Sequence, residues 1–359
     1  MNNLDKQYLD LAKDILENGV KKATRNGDVL SVFGRTIRHK MSEGFPLLTT
    51  KKMYFKGIVT ELLWFLKGGT NIKYLLDNNC HIWDGDCYKN YEQEWLKENP
   101  PMSGPYTEKM LSKEEFINSI KTDDKFAEQW GELGPIYGSQ WRKWEGFHEA
   151  FGESNRFIKN TNDIDQIENL INELKINPDS RRMIVSAWNP AELSKMVLPP
   201  CHYGFQVYTR ELSLEERENY FRNEMGMKNI NFLVWSLEGE EGLHKEYDKQ
   251  GVPRRAISLM WSQRSVDLPL GLPFNIASYG LLLEMLADEV NMMPDELICS
   301  LGDCHIYQNQ IDGVKEQLTR EPLSLPTIHI RDGIYCSSVN DVILDKYISH
   351  PGIHFPLSN

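Results

Sequence analysis

The sequence predicts an α/β fold (α+β in some schemes). Apolar residues recur at helical spacing in some segments and gather into short β-branched or aromatic runs in others. Near the N-terminus, Leu9, Leu11, Ile15 and Leu16 mark a first amphipathic helix, and Val29-Leu30-Ser31-Val32-Phe33 reads as a strand. A second helix is expected over residues 57–67, closed by the Gly68-Gly69 pair. Further on, Ile167, Leu170, Ile171 and Leu174 share one helical face, and Asn177-Pro178 stops that helix, because proline pushes its predecessor out of the helical region. Strands follow at 183–188, at 204–209 after Pro199-Pro200, and at 256–262. A long apolar helix near 274–290 and a strand-like 297–301 complete the pattern.

Two stretches break it. Residues 85–130 carry Pro100-Pro101, Pro105 and dense Lys and Glu, and read as an inserted, mostly helical surface excursion. Residues 211–253 hold ten acidic and five basic residues between Glu211 and Gln250, as an elaborated hairpin tip or helical insert would. With no repeat and no low-complexity linker, the 359 residues read as one domain over 1–359 with surface insertions at about 85–130 and 211–253.

Charge narrows the function classes. Forty Lys and Arg against 52 Asp and Glu give a net charge of −12, which argues against broad nucleic-acid binding while leaving room for a local basic site that takes a small anion. No apolar run is long enough to span a membrane; Glu284 and Asp288 interrupt the best candidate. Residues 1–13 carry no apolar signal core. Cys80, Cys87, Cys201, Cys299, Cys304 and Cys336 lie far apart without a C-x-x-C pair, so the expectation is reduced thiols in a cytoplasmic protein, with neither disulfides nor a metal site.

Four features exceed the background. In Leu198-Pro199-Pro200-Cys201-His202 two prolines stiffen the approach to a cysteine, as suits a nucleophile, although such a cysteine is ordinarily just buried. His202 would point to the opposite face of an extended strand, so adjacency alone makes no Cys–His dyad. The tandem Arg181-Arg182, in a turn after Asp179-Ser180, can fork onto a dianion or simply be solvated. Arg264 and Ser265 end a strand where they could share a phosphate, ahead of Asp267, a glycine/proline turn at Gly271-Leu272-Pro273, and Asn275. Asn275 opens a helix, where it is most often a cap, but its amide offers the donor and acceptor a pyrimidine edge requires. Finally, Glu61 sits within an apolar helix, where a carboxylate is costly unless paired, protonated or facing water.

In order and at matching spacing, these blocks resemble the thymidylate synthase family nearly end to end. The match runs from Arg25, Phe33-Gly34 and residues 44–51 through Glu61–Trp64, Gly69-Thr70-Asn71-Ile72 and Ile82-Trp83-Asp84. It continues through 134–138 with Gln140-Trp141, 179–189, Pro200-Cys201-His202, 263–279 and 302–307. Only 85–130 and 211–253 fall outside.

The resemblance implies a large twisted mixed sheet with helices on one face, paired sheet to sheet in a homodimer. It also implies reductive methylation of dUMP to dTMP, with 5,10-methylenetetrahydrofolate as co-substrate and no metal. Cys201 matches the nucleophile that adds to uracil C6, its thiolate favoured by nearby arginine charge. Glu61 matches the proton-relaying carboxylate, Tyr137 the tyrosine near the C5 proton, and Asn275 the reader of the uracil edge. Arg25, Arg264 and Ser265 match phosphate ligands, joined by Arg181 and Arg182 from the other subunit. His305 and Tyr307 match the sugar-binding pair, Trp83, Asp267 and Gly271 the folate site, and Lys51 a contact to the glutamate tail. No membrane and no nucleic acid is required.

Two departures touch the wall that keeps water from the C5 methylene: Gly85-Asp86 where a second tryptophan is common, and a polar Pro356-Leu357-Ser358-Asn359 end. They leave a deoxyuridylate hydroxymethylase forming 5-hydroxymethyl-dUMP as the alternative, with an inactive nucleotide- or RNA-binding homologue behind it.

Overall fold

The computed structural model describes residues 2–99, 109–146, 163–223, 225, 232–336 and 338–357, with side chains of 232–238 left aside. Six strands form the main sheet: β1 (Val20–Thr24), β2 (Gly27–Lys40), β3 (Ile184–Ser186), β4 (His202–Glu211), β5 (Arg255–Asp267) and β6 (Met293–Tyr307). Their order is β1-β2-β6-β5-β4-β3, antiparallel except for the parallel β5–β6 pair. β7 (Thr327–Ile330) and β8 (Val342–Asp345) make a separate hairpin. The sheet is therefore mixed, as the resemblance implies.

Helices α1 (Asn3–Asn18), α2 (Phe55–Leu66), α3 (Lys73–Asp77), α4 (Asp84–Glu98), α5 (Lys113–Thr122), α6 (Asp124–Trp130), α7 (Tyr137–Arg142) and α8 (Gln166–Ile176) come before or beside the first half of the sheet. They are followed by α9 (Leu214–Asn223), α10 (Phe232–Lys249, interrupted at Gly239), α11 (Gly271–Glu289) and α12 (Ile311–Leu318). α11 supplies the crossover that a parallel strand pair needs. It is apolar all round, with Ile276, Ala277, Leu281, Leu282, Leu283 and Met285 buried between the sheet and α2. By register Ile184, Tyr208 and Met260 share one face of the sheet, and all three are exposed there, as Phe33 is on β2.

The charged stretches are largely helical. Between residues 85 and 130, α4–α6 bury Cys87, Tyr91, Phe116, Ile120 and Ala127 against the main core, with Tyr91 and Phe116 rings 5.0 Å apart. The 211–253 segment is a long excursion between the antiparallel strands β4 and β5, and it carries a small core of its own around Phe221, Tyr247 and Val252. No helix among the described residues is long and apolar enough to cross a membrane.

Candidate active site

A cavity of ≈ 650 Å³ opens where the C-terminal end of β5, the start of β4, α2, α4 and the first turns of α11 converge. That size lies in the ordinary range for small-molecule sites. Cys201, Glu61, Tyr137 and Asn275 all line it, as do Arg25, Trp83, Arg264, Ser265, Asp267, Gly271, His305 and Tyr307.

Cys201 is held from both sides. Its N–H donates to the Tyr137 hydroxyl at 2.7 Å, and its carbonyl accepts from the Arg264 N–H at 2.8 Å. The Arg264 guanidinium donates to the carbonyls of Pro200 and Pro199, each at 2.9 Å, so the diproline arm is clamped as well as stiff. The register of β4 against β5 slips between His202 and Gly204. Such a bulge re-aims side chains beside a site, and here both Cys201 and His202 reach the cavity, contrary to the alternation expected of a plain strand. His202 forms no acid–base pair with the thiol. It stacks on Tyr137 with centroids 4.2 Å apart, meets the Tyr279 hydroxyl at 2.9 Å, and burial pushes its pKa down to about 3, so it stays neutral.

Within one chain, Arg264 alone does not favour the Cys201 thiolate. Burial raises the Cys201 thiol above its ordinary value; Arg264 pulls it down, while Asp86 and Asp267 push it further up. Desolvation outweighs one guanidinium that is already occupied with two carbonyls.

Glu61 is buried inside α2, neither facing solvent nor in the first helical turn. It accepts from the Trp83 indole N–H at 2.8 Å, and burial lifts its pKa to about 7 against the lowering effect of that bond. A carboxyl poised there can give or take a proton near neutrality. Tyr137 is also buried, in contact with the rings of Phe65 and Trp83, and desolvation holds its hydroxyl protonated.

Asn275 lies in the second turn of α11 and is no cap. The Gly271-Leu272-Pro273 stretch read as a turn is the first turn of that helix, where proline's missing N–H costs nothing. The Asn275 amide donates to Gln263 Oε1 at 3.0 Å, and Gln263 also accepts from the Trp261 indole at 3.3 Å and donates to the Ser265 carbonyl at 3.0 Å. Because an indole can only donate, the Gln263 oxygen must face it. The Asn275 nitrogen must then face Gln263, which leaves its oxygen and second N–H for a ligand. Gly271 sits between Asp267 and Asn275, and a methyl group there would meet both in ordinary contact.

One corner of the cavity is basic. Arg25, Asn26, Arg264, Ser265, His305 and Tyr307 line a recess of ≈ 370 Å³, together with Asp303, whose carboxylate accepts from Lys22 and Ser31. Asp267 lies nearby, accepting from the Leu270 N–H at 3.1 Å and the Gln310 amide at 3.2 Å, with burial raising its pKa.

Three predicted residues lie elsewhere. Lys51 is buried, donates to the Pro269 carbonyl, and sits 4.9 Å from the Phe355 ring centroid; burial lowers its pKa to about 8. Arg181 and Arg182 are exposed before β3, outside the lining of their own chain's cavity. Asp86, singled out in the sequence with Gly85 as a change in the wall of the site, does line the cavity, whereas sequence reasoning missed roles for Gln263, for Gln310 behind Asp267, and for Lys89, Asn90 and Gln93 of α4, which continue that polar wall. The 86/89/90/93 spacing was the available signal, hidden within a stretch taken for surface.

A mixed sheet, and a cavity that gathers a cysteine on a clamped arm, a near-neutral carboxyl and two arginines, define the class as an α/β enzyme. The thymidylate synthase family model matches residues 6–359. Thymidylate synthases of Malacoplasma penetrans and Mycoplasma genitalium are 43% and 41% identical over 352 residues, each comparison covering 97% of this chain and 98% of the relative. That of Listeria monocytogenes is 39% identical over 370 residues, covering 98% and 99% respectively. The chain belongs to the thymidylate synthase family.

Proposed function

We propose that the protein is a cytoplasmic thymidylate synthase, one domain over 1–359 with insertions at about 85–130 and 211–253. It converts dUMP to dTMP and dihydrofolate, with 5,10-methylenetetrahydrofolate supplying both the one-carbon unit and the hydride. The observation that carries this reading is that Cys201, Glu61, Tyr137 and Asn275 line one cavity although they come from three separate helices and the bend before β4.

In this reading Cys201 attacks C6 of the uracil, making C5 electron-rich enough to take up the one-carbon unit. The raised thiol means that the attack needs help: a proton acceptor, and positive charge gathered at the nucleotide phosphate. Asn275 supports dUMP over dCMP, since its free oxygen accepts from uracil N3–H and its N–H donates to O4. Arg25, Arg264 and Ser265 take the phosphate, and His305 and Tyr307 the sugar hydroxyl. Tyr137 stands by the C5 proton and Glu61 relays protons through water. Asp267, Trp83 and Gly271 face the folate, whose glutamate tail would reach Lys51 only if Phe355, which packs over that lysine, moved. The exposed apolar side chains of Ile184, Tyr208 and Met260 on one sheet face support a homodimer in which Arg181 and Arg182 enter the partner's phosphate site.

Incubation with dUMP and methylenetetrahydrofolate tests the reading. Methylated nucleotide and dihydrofolate are expected. Tetrahydrofolate with 5-hydroxymethyl-dUMP alone would make the protein a hydroxymethylase instead, and the absence of a Cys201 adduct with 5-fluoro-dUMP would overturn the nucleophile.

A further inference from the structure

Gln310 stands where the sugar side, the folate side and the C-terminal segment of the chain meet, and it is fully buried. Its Oε1 accepts from the Tyr307 N–H at 3.0 Å. Its Nε2 donates to Asp267 Oδ2 and to the Pro356 carbonyl, both at 3.2 Å. The amide has only one possible orientation, because the Tyr307 N–H is solely a donor and the other two partners are solely acceptors.

The C-terminal segment is seated beside it. His350 N–H donates to the Thr49 carbonyl at 2.8 Å, Arg320 reaches the Pro351 carbonyl at 2.6 Å, and Phe355 is buried. Gly313 makes room for that ring, since a methyl group there would lie 2.7 Å from it. Leu357, just beyond Pro356, lines the cavity.

We infer that Gln310 is a positioning residue that locks the folate-facing carboxylate of Asp267 and the C-terminal strap into one arrangement, with Tyr307 as its fixed base. It touches no substrate in this scheme. Its effect passes through Asp267, which loses a donor without it, and through Leu357, which loses its anchor. Since no other side chain bonds to both Asp267 and the strap among the described residues, the folate half of the cavity should depend on it more than the nucleotide half does.

This inference rests on the thymidylate synthase reading, and the test separates the two. Wild-type turnover of dUMP with methylenetetrahydrofolate tests the reading by itself. Gln310→Leu keeps the volume and removes all three bonds. It should raise the KM for methylenetetrahydrofolate about tenfold, the worth of one lost hydrogen bond to a charged group, and change the KM for dUMP much less. It should also move the acid limb of kcat/KM for folate to higher pH, because Asp267 without its donor protonates more easily; a purely structural residue would not move that limb. Gly313→Ala unseats Phe355 while leaving the Gln310–Asp267 bond intact, so it should raise the folate KM without moving the acid limb. Gln310→His, which can still donate to Asp267, should recover part of the loss. An active wild type whose Gln310→Leu variant is folded and keeps both its folate KM and its acid limb would overturn the inference, as would equal increases in the two KM values.

Discussion

The Trp83 indole donates to Glu61 at 2.8 Å, and this bond is what works against burial of the carboxylate. Burial lifts the Glu61 pKa from its ordinary 4.5 to about 7. Trp83→Phe should therefore raise it again, by about one unit for a bond to a charged group. The pH–rate profile would show the Glu61-dependent limb displaced upward, and an unmoved limb would detach Glu61 from proton transfer.

The same shift has a stability consequence. A carboxyl that binds its proton more tightly when folded stabilises the fold fully below pH 4.5, and that contribution is lost as pH rises through about 7. At pH 8 the buried charge costs on the order of 3 kcal/mol. Glu61→Gln should accordingly raise Tm at pH 8, leave it nearly unchanged at pH 4.5, and abolish turnover. A lower Tm at pH 8 would mean that the charge is better compensated than Trp83 alone allows.

Much of this was legible in the sequence, because helical and strand periodicities are local. Leu11 and Ile15 are buried on α1, and Ile167, Leu170, Ile171 and Leu174 on α8. What escaped depends on contacts far apart in the chain. The Cys201–His202 pair looked divergent because a bulge is invisible without the partner strand. The Cys201 thiol looked activated because Arg264 could be counted, whereas desolvation could not. Lys89 and Gln93 looked like surface, since the cavity they line is closed by residues more than a hundred positions away.

Gln263 offers a sharper test of how the pyrimidine is read. Its oxygen takes both the Trp261 and the Asn275 N–H and so fixes which way the Asn275 amide faces. With Gln263→Leu that amide can turn over. The dUMP KM should rise about tenfold, and inhibition by dCMP should strengthen. Gln263→Glu keeps the acceptor and should preserve the preference for dUMP. Unchanged discrimination in the leucine variant would place the orientation of Asn275 under other control.

Arg217 closes the 211–253 excursion. It is fully buried, donates to His244 Nδ1 at 2.8 Å, to Asp248 at 2.6 Å and to the Val252 carbonyl at 3.0 Å, and lies 5.4 Å from the Tyr247 ring centroid. Arg217→Met should cost about 2–3 kcal/mol of local stability, less than a fully buried ion pair because Asp248 is partly exposed. Hydrogen exchange should accelerate in α9 and the C-terminal half of α10, with turnover near wild type, since these helices do not line the cavity. A large loss of turnover would tie the excursion to the active site.

The tandem arginines lead to a prediction about assembly. Arg181 and Arg182 are exposed and lie outside their own chain's cavity, whose basic corner is built by Arg25 and Arg264. If each pair completes the partner's phosphate site, an Arg182→Ala chain and a Cys201→Ala chain are separately inactive but complementary. A mixed dimer unites the intact Cys201 of the first with the intact Arg182 of the second at one site, and its other site lacks both. With random reassortment half of the dimers are mixed, so about one quarter of all sites should be restored. Subunit exchange would be confirmed by native mass spectrometry before turnover is measured. Exchange without recovery would show that Arg182 serves its own chain, and the phosphate would then have to be held by Arg25, Arg264 and Ser265 within one protomer.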